Sequence, residues 1–231
     1  MDWSHSLVIG FDTETTGLDA WNGRIIQFGV SVWQGHGFFE PPTPVAGGDW
    51  CIDCGSDGVP IEPGARKAHG IPDERIAGCD PFDRQIGRLL GFLQPFVRQD
   101  HVFTAYNAPF DLAYLVAAFH RCQQVLPIAA SRVLDPVTFA RKAWVRQGNR
   151  LVDVAPRLNV VFSPHDALAD AQATVQVLFA IARKWNLAAD LDEVLAQQDK
   201  VINIWNRDTG HDYRDQLSVV EKQVIVDAAA R

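Results

Sequence analysis

Two carboxylates at the end of one strand, Asp12 and Glu14, constrain this chain more than any other feature. They lie in Phe11-Asp12-Thr13-Glu14-Thr15-Thr16-Gly17-Leu18, directly after the apolar run Leu7-Val8-Ile9-Gly10-Phe11. That run is bounded by turn residues and predicts a buried strand. Side chains at i and i+2 of a strand share a face, so Asp12 and Glu14 project together from its end. Two carboxylates held that close repel each other unless a proton or a cation sits between them. A hard divalent ion takes oxygen ligands. Either the pair is a solvated polar strand end, or the rest of the chain supplies further ligands.

The pattern downstream is that of an α/β protein. Arg24 to Trp33 is rich in β-branched and aromatic residues and reads as a second strand, with Asp49 to Ile52 as a possible third. Ile61-Glu62-Pro63-Gly64 opens a short helix that ends near His69-Gly70. Asp80-Pro81 is a helix start, an acid at the N-cap and Pro at the first helical position. Phe82, Ile86, Leu89, Leu90, Leu93 and Phe96 then recur at helical spacing. His101 to Tyr106 reads as a strand. Asn107-Ala108-Pro109 begins a helix whose inner face carries Leu112, Leu115, Val116 and Phe119. Ser163-Pro164-His165 precedes a long helix with Leu168, Ala171, Val175, Leu178, Phe179 and Ala182 facing inward. Strands that then alternate with helices imply a sheet covered by helices.

Composition narrows the classes of function. With 47% hydrophobic residues over 231 positions, the chain can bury a core within one generous domain, or one domain with an appendage. No run of eighteen apolar residues is long enough to span a membrane, and Met1-Asp2-Trp3-Ser4-His5 does not read as a leader. The expected location is the cytoplasm, with no membrane partner. The formal net charge of −7 argues against a passive nucleic-acid binder, although acids neutralised by metal can still work on phosphates. If the chain nonetheless takes a single-stranded nucleic acid, the few basic contacts imply a shallow salt dependence. Cys51-Ile-Asp-Cys54 has half the spacing of a zinc site and no second close pair follows it. All four cysteines are therefore expected as reduced thiols.

Acids recur at element ends: Asp111 in the first turn after Asn107, then Asp166 and Asp170 beside His165. A single acid in a first helical turn is most simply a charge that offsets the helix dipole. That explanation suits Asp166 and fits Asp170 poorly. Asp166 and Asp170, four residues apart, share a helix face, which keeps Asp166 as a rival ligand.

The three stretches Phe11 to Leu18, Asn107-Ala108-Pro109-Phe110-Asp111 and His165-Asp166-Ala167-Leu168-Ala169-Asp170-Ala171 resemble the three exonuclease motifs of the DEDD superfamily. His165, five residues before Asp170, resembles the His-bearing (DEDDh, DnaQ-like) branch, that of the proofreading epsilon subunit of bacterial DNA polymerase III. Ile61 to Ile71 and Asn149-Arg150-Leu151-Val152-Asp153-Val154 also match, and the likeness covers residues 5–185. The stretch 34–60 departs from it, being longer than the family's third strand.

The resemblance implies a ribonuclease-H-like fold, a mixed five-stranded sheet flanked by helices. It implies an exonuclease domain over 1–185 and a C-terminal helical extension over 186–231. Asp12, Glu14, Asp111 and Asp170 would hold two Mg²⁺ or Mn²⁺ ions, with Asp12 shared between them. Two such ions, about 3.5–4 Å apart, serve both ends of an in-line displacement at phosphorus. His165 would take a proton from the attacking water, work that suits an imidazole near neutral pH. Thr13, Thr15, Thr16, Gly17, Leu18, His69, Asn107 and Phe110 would border the 3′ end of a single-stranded nucleic acid. The implied activity is metal-dependent 3′→5′ hydrolysis releasing nucleoside 5′-monophosphates, with DNA preferred and a possible place in proofreading or repair. The alternatives are an RNA-trimming exoribonuclease and a non-catalytic polymerase accessory.

Beyond Trp185, Asp190 and Glu193 form a capping box before Leu191, Val194, Leu195, Ile202 and Trp205. Asn206 to Gly210 breaks the pattern, and Ser218 to Glu221 reads as a second capping box before a helix ending at Ala228-Ala229-Ala230. Short amphipathic helices gain stability from tertiary packing. These two pack on the preceding domain, or else dock to a polymerase or to a second copy of the chain.

Overall fold

The computed structural model describes residues 1–97 and 101–229. A five-stranded mixed sheet carries the molecule. Its strands, in chain order, are β1 (Leu7–Thr15), β2 (Ile25–Gln34), β3 (Thr43–Cys51), β4 (Val102–Thr104) and β5 (Val133–Leu134). The spatial order is β3-β2-β1-β4-β5. The first three strands are antiparallel, while β4 pairs parallel to β1 and β5 parallel to β4. The C-terminal ends of β1, β4 and β5 therefore lie on one edge, and the segments that follow them meet there.

Among the described residues, nine helices join and cover these strands: α1 (Pro63–His69), α2 (Asp73–Ala77), α3 (Phe82–Val97), α4 (Ala108–Arg121), α5 (Pro136–Ala143), α6 (Leu151–Val154), α7 (Ala167–Trp185), α8 (Leu191–Thr209) and α9 (Asp215–Ala229). Strand alternation divides the core in two. Ile9 and Phe11 point into a layer with Leu93 of α3, Leu115 and Phe119 of α4, and Leu217 and Val220 of α9. Val8 points into the opposite layer, with Val137 of α5, Val175 and Leu178 of α7, and Leu191 and Val194 of α8. Gly10, Asp12 and Glu14 share the parity of Val8 and so belong to the α7 side.

Most predicted elements appear within a few residues of their expected bounds. β3 begins at Thr43, well before Asp49, and β4 keeps only Val102–Thr104 of the longer stretch read as strand. α3 starts at Phe82, just after Pro81. α8 does not break at Asn206 but runs to Thr209, stopping where Gly210 takes a left-handed conformation (φ 72°). Asp190 caps α8 as expected, accepting from the amides of Asp192 and Glu193. Ser218 lies inside α9, which starts at Asp215, so its expected N-cap role does not hold. Ala230 lies outside the described residues.

The cysteine expectation is corrected. Cys51 is bonded to Cys79, with Cα atoms 5.7 Å apart, so the end of β3 is tied to the turn before α3. Their separation of 28 residues hides this in the sequence, because only the fold-back of α1 and α2 brings the two together. Cys54 is buried and free, and Cys122 is half-buried and free.

The extension 186–231 does not hang free over its described length. Leu191 and Val194 are buried against α5 and α7, Leu217 and Val220 against α4, and the indole of Trp3 donates to the Ala188 carbonyl at 2.8 Å. No described helix is long and apolar enough to cross a membrane.

Candidate active site

The sheet edge where β1, β4 and β5 end carries the predicted acids. Asp12 and Glu14 alternate with buried Thr13 and Thr15 along β1, which places both carboxylates on the α7 face. α7 lies unusually close to that face. A Cβ at Gly10 would sit 2.4 Å from the Ala171 carbonyl oxygen, and one at Gly29 would sit 2.3 Å from the Leu168 amide nitrogen. Only glycine permits backbone contact this tight. These two residues let the first turns of α7 descend onto β1 and β2 and bring Asp170 to Asp12 and Glu14. Gln27, buried opposite Glu14, fixes the helix start by accepting from the Ala167 amide and donating to the Asp166 carboxylate, each at 3.3 Å.

Asp166, the rival ligand, accepts from the Ala169 amide at 3.0 Å and is the N-cap of α7. Asp170 lies one turn further on. Its Oδ2 accepts from the His165 amide at 3.3 Å, while its Oδ1 is buried with no hydrogen-bond partner among the described residues. His165 stands on the turn before the helix with φ 67°, exposed, and leans back as its spacing required. Ligand atoms of Glu14, His165 and Asp170 lie within 4.8 Å of one another.

Asp111 arrives from the other direction, in the first turn of α4. Its Oδ1 accepts from the Thr13 amide at 2.8 Å and the Thr13 hydroxyl at 2.7 Å, which locks the carboxylate beside β1. The start of α4 is held by a residue that sequence reasoning missed. Asp135, 1% exposed at the end of β5, accepts from the amides of Asn107 (3.0 Å), Ala108 (2.6 Å) and Val137 (3.0 Å), and from the Tyr213 hydroxyl. One carboxylate thus caps both α4 and α5. The Asp-Pro pair at 135–136 is a helix-start signal of the kind read at Asp80-Pro81, and could have been found.

The remaining expected contacts divide. Leu18 is 73% exposed. His69 is buried, with Nδ1 accepting from the Ile71 amide at 2.9 Å and Nε2 buried and unpartnered among the described residues. Asn107 is exposed in a left-handed conformation, and Phe110 packs on Tyr114 with ring centroids 5.2 Å apart. The threonine hydroxyls are turned inward. Thr13 serves Asp111, Thr15 donates to the Gly17 carbonyl at 2.9 Å, and Thr16 accepts from the Arg24 amide at 2.8 Å. The Gly17 carbonyl also accepts from the Tyr114 hydroxyl at 2.8 Å.

Burial and mutual repulsion both oppose charge on the four acids. Burial pushes Asp12 well above the usual carboxylate range, and the neighbouring Asp111, Asp170 and Glu14 push it further. Glu14 is raised to about 8 by burial and by Asp170 and Asp111. Asp111 is raised to about 7, burial outweighing its bonds from Thr13, and Asp170 to about 6, again mainly by burial. An all-oxygen donor set, strained by its own charge and with an orphaned carboxylate oxygen on Asp170, fits a hard divalent cation.

These shifts fix the sign of a pH effect. A carboxyl raised in the folded state contributes stability that is present below its unfolded pKa and lost as pH rises through the folded one. The window opens near pH 4, the unfolded value, and closes at about 6, 7 and 8 for Asp170, Asp111 and Glu14. In chelator, the protein should therefore lose thermal stability between about pH 5 and pH 8. Mn²⁺ should raise the melting midpoint strongly at the upper pH and weakly at the lower, where protons compete. A midpoint at the upper pH that does not respond to Mn²⁺ would count against a shared cation site.

Comparison with known proteins agrees with this arrangement. The family model described as Exonuclease (RNase_T) matches residues 9–178. The chain is 29% identical over 205 residues to the PolC-type DNA polymerase III of Streptococcus mutans, covering 88% of this chain and 13% of that protein. It is 31% identical over 180 residues to the corresponding polymerase of Streptococcus suis, covering 76% and 11%. The chain thus spans about an eighth of the length of the polymerases it matches. Among solved structures, E. coli exonuclease I in complex with a dT13 oligonucleotide superposes with TM-score 0.64 at 20% identity, covering 78% of this chain and 42% of that one. Exonuclease X in complex with 5′-overhanging duplex DNA superposes with TM-score 0.56 at 21% identity, covering 83% and 99%. At these identities the likeness is one of fold.

Proposed function

The chain belongs to the RNase_T exonuclease family, and from that premise we propose that it hydrolyses single-stranded DNA from the 3′ end, using divalent metal and releasing nucleoside 5′-monophosphates. The observation that carries this reading is the convergence of Asp12, Glu14, Asp111 and Asp170 from three separate elements, with His165 at their side. A scaffold protein has no use for a largely desolvated, mutually repelling carboxylate cluster that opposes its own folding, which argues against a non-catalytic accessory.

Asp12, Glu14, Asp111 and Asp170 are the residues that would hold Mg²⁺ or Mn²⁺. When bound, the ions lower the charge barrier to attack on the phosphodiester and stabilise the leaving oxygen. The chain's own residues do the rest. Thr13 orients Asp111, and Asp135 holds the helix that presents it. His165, exposed on its turn, accepts the proton of the attacking water. Leu18 offers an exposed apolar side chain to the terminal base. His69 has an unpartnered Nε2 to offer the 3′ end.

DNA is favoured over RNA because the matched relatives are DNA polymerases and the superposed exonucleases hold DNA. In the relatives the matching segment is part of a polymerase chain, which supports a role in proofreading. We take 1–185 as the nuclease unit and 186–231 as the extension through which a polymerase or a second copy could dock, and we place the protein in the cytoplasm. The test is side-by-side degradation of matched single-stranded DNA and RNA. DNA should shorten from its 3′ end to mononucleotides, stop in chelator and resume with Mg²⁺ or Mn²⁺. Faster loss of the RNA would move the assignment to RNA trimming, and loss of neither would remove the catalytic reading.

A further inference from the structure

The chain is acidic overall, yet its cations are not spread evenly. α5 and α8 lie side by side and leave a groove of about 450 Å³, lined by Arg141, Arg146, Asn149, Trp205 and Tyr213 among others. It continues into a second hollow of about 530 Å³ that shares Lys142, Val201 and Ile204 with the first and adds Lys200 and Trp185. Arg141, Lys142, Arg146 and Lys200 line this path against one acid, Asp208. Arg141 has a structural role, its guanidinium 4.7 Å from the centre of the Trp205 ring and 5.3 Å from that of Tyr213. Lys142, Arg146 and Lys200 are exposed, and none is ion-paired among the described residues. They add nothing evident to the fold.

The apolar wall of the groove is equally exposed. Val145 is 66% and Ile204 49% accessible, beside the half-buried Trp205. Unpaired cations beside exposed apolar and aromatic side chains are the combination that holds single-stranded nucleic acid, with phosphates on the cations and bases on the wall.

Hydrogen bonds tie the groove wall to the elements that carry the acidic site. Tyr106, just past the end of β4, donates to the Asn149 carbonyl on the groove wall at 2.7 Å. Tyr213, also on the wall, donates to Asp135, which caps the helix bearing Asp111. The groove wall and the helix that presents Asp111 are thus held in one fixed arrangement.

We infer that the α5–α8 groove binds the upstream nucleotides of a single strand whose 3′ end occupies the acidic site. The phosphates contact Lys142, Arg146 and Lys200, and the bases lie against Val145, Ile204 and Trp205. This inference rests on the exonuclease reading. It also revises the shallow salt dependence expected from net charge, because the charge that matters is local.

The test is the full-length variant Lys142→Glu/Arg146→Glu/Lys200→Glu. All three side chains are exposed, and its melting midpoint checks the fold. Binding of 5′-labelled dT20 is followed by anisotropy in chelator across a salt series, and hydrolysis of dT20 and dT3 is followed with Mg²⁺. Three lost phosphate contacts, at roughly 0.7 each on single strands, should flatten the slope of log K against log salt by about 2. The KM for dT20 should rise at least tenfold with kcat unchanged, while dT3, too short to reach the groove, is hydrolysed as before. A wild-type slope and a KM for dT20 within twofold would overturn the proposal. So would unchanged dT20 binding together with lost affinity for an acidic peptide, which would make the groove a protein site. If the wild type cleaves neither oligonucleotide, it is the exonuclease reading that has failed, and the anisotropy slopes still decide the groove.

Discussion

Asp12→Ala is expected to lower 3′→5′ hydrolysis of single-stranded DNA by about 10³-fold or more, the largest loss of any single substitution at the site. Asp12 is half-buried beside Asp111, Asp170 and Glu14, all of which raise its pKa. Under the proposed two-ion reading it is the carboxylate that would be shared between the cations. Losing several kcal/mol of charge stabilisation in the transition state corresponds to a loss of this order. Calorimetric titration with Mn²⁺ should show a reduced stoichiometry. The control is Asp166→Ala, four residues before Asp170. It removes the N-cap bond to Ala169 and the longer bond from Gln27, a change of about 1 kcal/mol in stability, and should leave most of the rate. Activity within tenfold of wild type in Asp12→Ala would end the shared-ligand assignment.

His165→Ala should cost about 10²–10⁴ in rate, the usual range for loss of a general base. Mn²⁺ binding should survive, because the four carboxylates remain. His165 is exposed on a left-handed turn, and its backbone amide, which the substitution keeps, is what bonds Asp170. Alanine at φ 67° adds some backbone strain, so His165→Asn is the better-matched companion: asparagine tolerates that conformation and cannot take the proton. Loss of rate in both with retained metal binding supports a proton-transfer role. If Asp166→Ala is crippling while both His165 variants are mild, the roles assigned around α7 are wrong.

The position of the C-terminal extension affects how these variants should be read. Tyr213 and Gln198, both beyond residue 186, hold Asp135: Tyr213 donates to its carboxylate, and Gln198 accepts from its amide at 2.7 Å. Asp135 in turn holds α4, which presents Asp111. The expected division at residue 185 runs through a hydrogen-bond network that ends at the site. Docking of a partner on 186–231 would act on a segment linked by hydrogen bonds to the helix that presents Asp111.

Local patterns determined a good deal by themselves. The two-residue period of a strand put Asp12 and Glu14 on one face, Asn107-Ala108-Pro109 and Asp166 marked where α4 and α7 begin, and the order of elements implied a helix-covered sheet. Those signals are legible because each rests on residues within a turn or two of one another. Tertiary structure decided what depends on distant partners. Gly10 and Gly29 look like weak points in their strands until α7 lies on them at backbone contact. Asp135 looks like the cap of one helix and serves two. Cys51 reads as a reduced thiol and is bonded to Cys79. An acidic chain carries a cationic groove, because α5 and α8, about fifty residues apart in sequence, turn their lysines and arginines toward the same gap. In each case the energy lies in contacts between elements, and the chain's local periodicity says which side of an element is buried but not what will be lying on it.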